Sequence, residues 1–148
     1  KEGVVEGTTK IRLAEGETMT LIGFAEKEPA EEAGEPPVWN MRILKLKQRS
    51  PEKGYRMTLV SVCQEDNLTV KAMIEGKPGP EIVYAKKMTT TSLDLGEARG
   101  EVIVKVGEQV VSTISPDEPG NYVVLLYEDE DGTVKAISFY DPKFVLAG

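Results

Sequence analysis

Apolar residues recur at every second position in short runs, and glycine or proline separates one run from the next, which predicts many short strands joined by turns. The clearest run sets Leu68, Val70, Ala72 and Ile74 against Thr69, Lys71, Met73 and Glu75, a period of two. Residues 55–63 place Met57, Leu59, Ser61 and Cys63 on one face and Thr58, Val60 and Val62 on the other. Further strands are expected over 8–14, 18–25, 38–48, 81–86, 88–95, 101–106 and 109–115. The strongest local signal is the last pair, 121–128 and 133–140, because an Asp131-Gly132 tip between alternating runs is the turn chemistry of a hairpin. Between the second and third of these strands runs a polar linker, 26–37, in which Pro29, Gly34, Pro36 and Pro37 break any long helix.

No window carries sustained apolar spacing at i, i+3, i+4 and i+7, so no substantial helix is expected. Roughly nine to eleven strands at spacings of about 8 to 12 residues imply a barrel or a sandwich. Because most neighbours read as simple hairpins, the expectation is an all-β, antiparallel up-and-down barrel, with a β-sandwich as the alternative. A chain of 148 residues fits one such domain spanning 1–148.

Composition narrows the chemistry. The apolar fraction is 40% and the charged fraction 29%, the balance of a globular chain. A net charge of −7 argues against binding nucleic acid or an anionic lipid leaflet, since both demand clustered Lys and Arg. No apolar run approaches the roughly 18 to 20 residues of a membrane span, and Lys1 to Gly7 lack the apolar core of a signal peptide. The absence of histidine excludes the usual zinc sites, the Ser-His-Asp triad and the Cys-His dyad. With Cys63 alone, neither an intrachain disulfide nor a cysteine metal site can be built. The chain is therefore expected to be non-enzymatic and to use no cofactor and no metal.

Smaller features fit that picture. Glu128-Asp129-Glu130-Asp131 lacks the ligand spacing of a calcium loop and reads as a solvated hairpin tip. Asn67-Leu68-Thr69 is a glycosylation sequon at a turn, which points toward a secreted protein. Cys63, in an apolar strand, reads as a small buried hydrophobe, and Trp39 as a core residue at the start of a long strand. Met19, Met41, Met57, Met73 and Met88 are adaptable side chains that suit a cavity for varied apolar guests as well as they suit a core.

In the final third, Val110 to Ile114, then Gly120-Asn121-Tyr122 through Tyr127, then Ile137 to Pro142, resemble the late strands of a lipocalin. Asn121-Tyr122 and Tyr140-Asp141-Pro142 stand where that family opens its penultimate strand and ends its last, and residues 16–25 resemble its first strand, with Thr18 where the family has tryptophan. The resemblance implies a barrel that carries a small hydrophobic ligand, and barrels of about eight or more strands often enclose such a cavity. The pool of cavity residues is then Met41, Ile43, Met57, Leu59, Val70, Val104, Tyr122 and Val124. The alternative is a non-enzymatic β-domain whose exposed acidic loops, 26–37 and 115–120, bind another protein; a homodimer is also open.

Overall fold

A computed structural model describes residues 8–15, 19–28, 30–46, 54–65, 67–97 and 100–141, and these contain strands and no helix. The all-β expectation therefore holds. In chain order the strands are β1 (Thr20–Glu28), β2 (Val38–Leu46), β3 (Tyr55–Ser61), β4 (Asn67–Ile74) and β5 (Pro80–Lys86). They continue with β6 (Thr90–Gly96), β7 (Val102–Val106), β8 (Gln109–Ile114), β9 (Gly120–Glu128) and β10 (Val134–Asp141). The strand expected over 8–14 does not form: its described residues join no ladder, and Ile11 and Leu13 are exposed. Alternation alone does not make a strand without a neighbour to pair with. The expected features at Lys1 to Gly7, Gly16 to Thr18, Arg49 to Lys53, Asp66 and Pro142 lie outside the described residues.

The chain divides into two compact units, Lys1–Gln48 and Arg49–Ala147. The first is the antiparallel pair β1–β2, in register from Thr20↔Leu46 to Glu28↔Val38. One of its faces carries Leu21, Gly23, Ala25 and Lys27 beside Lys45, Ile43, Met41 and Trp39; Ile22, Phe24, Leu44 and Leu46 share the other. At the loop end the Arg42 guanidinium donates to Glu26 (2.8 Å) and Glu28 (2.7 Å), and these hydrogen bonds raise its pKa above the ordinary value. Trp39 is not core as expected but 52% exposed, with Lys27 Nζ 5.9 Å from its ring centroid.

The second unit holds two four-stranded sheets, β10-β9-β3-β6 and β5-β4-β7-β8. The hairpins β7–β8, across Gly107-Glu108, and β9–β10 form as the turn residues predict, and β4 and β5 pair as a third. At the β9–β10 tip, Asp129 Oδ1 accepts from the backbone N–H of Asp131 and Thr133, both at 3.0 Å, and Lys135 Nζ lies 3.1 Å from Oδ2. The hydrogen bond from Lys135 leads the effects that hold the Asp129 carboxyl below its usual range. The acidic run thus organises its own turn.

The closed up-and-down barrel is not found among the described residues. β3 lies between β9 and β6 and pairs with β9 in parallel, from Tyr55↔Gly120 to Ser61↔Leu126, a connection that no chain of hairpins produces. No ladder joins the edge strands β8 and β10 or β5 and β6. At one corner the hydroxyls of Ser112 and Ser138 meet. At the other, Thr91 Oγ1 donates to the Tyr84 carbonyl (3.2 Å), and Met88, at φ +64°, donates its N–H to Ser61 O (2.9 Å).

One hydrophobic core draws on both sheets. Tyr55, Met57 and Leu59 with Tyr122, Val124 and Leu126 come from the first, and Leu68, Val70, Ala72, Val102, Val104 and Ile114 from the second. β3 and β9 are buried on both faces, because Thr58, Val60, Asn121 and Val123 point away from this core and are still buried. That explains the scarcity of charge in these two strands. The polar members of the set are matched: Thr58 Oγ1 donates to Asn121 Oδ1 at 2.8 Å.

Candidate interaction face

Six of the eight expected site residues come together in the core of the second unit: Met57, Leu59, Val70, Val104, Tyr122 and Val124. Met41 and Ile43 belong to the first unit, half-buried on one face of β2. Met57, Val70, Val104 and Val124 are fully buried, each 0% exposed. No void wide enough for water opens beside these four. Cys63 is also sealed, and burial pushes its thiol pKa up, which suits an inert residue.

Tyr122 has a structural task. Its hydroxyl donates to Glu118 O (2.8 Å) and accepts from Glu118 N (3.3 Å), four residues upstream in the loop before β9. Tyr140 Oη donates to Pro119 O (2.9 Å) in the same loop. The Tyr122 ring lies 6.4 Å from Tyr55 and 5.1 Å from Tyr140, and burial pushes its phenol pKa up. This is the arrangement of a tyrosine corner, which fixes a loop at the end of a sheet. Tyr122→Phe is expected to lose about 1–2 kcal/mol of unfolding free energy in a urea titration, because it removes both bonds and leaves the packing.

Within the second unit, exposed apolar side chains gather instead on the outer face of β5-β4-β7-β8, which carries Met73, Ile82, Tyr84 and Val110. Since Val70, Ala72, Val102 and Val104 face the core, their neighbours point outward. The register sets Ile82, Lys71, Lys105 and Val110 in one row and Pro80, Met73, Ile103 and Thr113 in the next. Tyr84 stands beside Thr69 in the row before these. Met73 is 41% exposed, Ile82 53% and Tyr84 67%. Beyond the Met73–Ile103 row the face ends in a cleft of 460 Å³ lined by Met73, Ile74, Glu75, Glu101 and Ile103. Glu75 Oε2 accepts there from Glu101 N at 3.3 Å, and Glu75 N donates to Glu101 O at 3.2 Å.

Sequence alternation already put Lys71 and Met73 on the polar side of β4. It could not show Met73 beside Ile103 and one strand from Ile82, because that depends on the strand order. Among the described residues no group of His, Cys, Asp or Glu is arranged to hold a metal ion, and no helix is long and apolar enough to cross a membrane. The Asn67 sequon opens β4 with Asn67 and Thr69 exposed and Leu68 buried. Compared with known proteins, the chain matches no family model, no curated protein and no solved structure, so nothing identifies it as a lipocalin.

Proposed function

We propose that the second unit is a β-sandwich that works without catalysis, as a protein-interaction domain whose contact surface is the outer face of β5-β4-β7-β8. The observation that carries this reading is the exposure of Met73, Ile82 and Tyr84 in three successive rows of one face of the β4–β5 hairpin. Contiguous apolar surface on a folded domain marks a place where something binds. The inaccessible core residues support it from the other side, because an interior guest needs a wall that can be reached. The tyrosine corner at Tyr122 supports the sandwich.

The test is a titration of dilute protein with an environment-sensitive apolar fluorophore, using the full chain and an Ile82→Lys/Tyr84→Lys variant. Weak dye binding that falls several-fold in the variant, and that a fatty acid does not displace, is expected. Saturable binding at one site per chain that survives the variant and is displaced by fatty acid would overturn the reading in favour of a ligand carrier.

A further inference from the structure

The outer face of this sheet has a charge pattern that repeats on its two central strands. On β4 it runs Lys71, Met73, Glu75; on the antiparallel neighbour β7 and the residue before it, it runs Lys105, Ile103, Glu101. Lys71 pairs with Lys105 and Met73 with Ile103, and Glu75 bonds to Glu101. On these two strands the face therefore carries a lysine row, an apolar row and a glutamate row in succession, with the Thr69–Tyr84 row beyond the lysines. Two lysines directly opposite each other are unfavourable within one sheet, and among the described residues neither is ion-paired to a carboxylate.

From this pattern we infer that the occupant of the face is a second copy of the same chain, packed sheet to sheet about a two-fold axis. The inference rests on the reading of this face as the contact surface. A two-fold interface brings the same patch to both sides, so the patch must complement itself. With the strands of the two sheets aligned, two arrangements are open. With the axis along the strands, β4 lies over the partner's β7 and the lysine rows coincide, which like charge forbids. With the axis across the strands, along the Met73–Ile103 row, each strand lies antiparallel over its own copy. The apolar rows then meet at the centre, and Lys71 and Lys105 face Glu75 and Glu101 of the second copy. Only this second arrangement answers the charge of both rows at once. It also covers Met73, with Ile82 and Pro80 on its flank.

Pairing of an added strand along the β5 edge is disfavoured. Its C-terminal half is engaged at the corner, where Tyr84 O accepts from Thr91 Oγ1 and Lys86 O from Thr89 N. Its first residue, Pro80, has no N–H to offer an added strand.

Sedimentation equilibrium on the full chain tests the inference, with two charge-reversed variants, Lys71→Glu/Lys105→Glu and Glu75→Lys/Glu101→Lys. Circular dichroism checks that each is folded. The wild-type chain is expected to form a dimer that each variant weakens on the order of a hundredfold, and a one-to-one mixture of the variants is expected to restore it as a heterodimer. High salt should weaken the wild-type dimer only in part, since the central row is apolar. A wild-type dimer that both variants retain would place the contact elsewhere and overturn the inference, as would a mixture that stays monomeric. A wild-type chain that remains monomeric while the dye still binds Ile82 and Tyr84 would overturn the second copy and leave the interaction face standing; if the dye fails too, both fall.

Discussion

Leu59→Ala is expected to lower the free energy of unfolding by about 2–5 kcal/mol, as the loss of buried methyl groups and the hole they leave both count against the fold. Leu59 is 1% exposed on β3, paired with Thr91 on one side and Val124 on the other, and belongs to the core shared by the two sheets. Urea unfolding followed by circular dichroism measures the effect. Trp39 emission is the wrong probe, because the only tryptophan of the chain lies on β2 in the first unit. The outward-facing Ile82→Ala provides the contrast and should change stability by no more than about 0.5 kcal/mol. The size of the Leu59 effect also bears on function. A loss well below about 2 kcal/mol would mean that space already exists beside Leu59, and the interior would again be a place for a guest.

What was legible in the sequence is what is local. The β9–β10 and β7–β8 hairpins follow from Asp131-Gly132 and Gly107-Glu108, since a turn residue and its flanking alternation lie within a few positions of each other. Which side of a strand is apolar is local too: Met57, Leu59, Val70, Val104, Tyr122 and Val124 fall in one cluster, whereas Met41 and Ile43 of the same expected pool lie in the first unit. Pairing between distant strands was not. The parallel ladder of β3 with β9 joins Tyr55 to Gly120, and nothing near either residue announces the other. Without that ladder a run of hairpins reads as a meander that closes, so the barrel was expected and open sheets were found. Trp39 and the 8–14 segment failed in a related way: an apolar pattern states what a strand would bury, not whether a neighbour is there to bury it. The Lys-apolar-Glu pattern of 71–75 and its reverse at 101–105 was visible as letters, but it gained meaning only when Lys71 and Lys105 proved to be partners in one row.

The second large effect is expected at Gly54, where the long-range pairing begins. Its φ is +73°, and a Cβ built there would lie 2.3 Å from the carbonyl oxygen of Gly96 and 2.8 Å from its carbon. Its own carbonyl accepts from Gly120 N at 3.1 Å, at the head of the parallel β3–β9 ladder, while Tyr55↔Gly96 opens the β3–β6 ladder. Gly54→Ala therefore meets two penalties. The left-handed conformation costs an alanine about 1–2 kcal/mol. The clash is with backbone, so no change of rotamer relieves it and one of the two ladders must shift. A total loss of about 3 kcal/mol or more is expected, in the range that strain and broken pairing produce together. Gly76→Ala separates the two penalties: Gly76 has φ +80° with nothing within 4 Å of the built Cβ, so it should show the conformational cost alone. Hydrogen exchange adds the location. In Gly54→Ala the amide of Gly120 should lose protection while those of the β4–β5 hairpin keep theirs, since that hairpin is held by its own turn. If Gly54→Ala costs no more than Gly76→Ala, the close approach to Gly96 is not maintained in solution, and the junction that sets β3 between β6 and β9 is looser than its geometry implies.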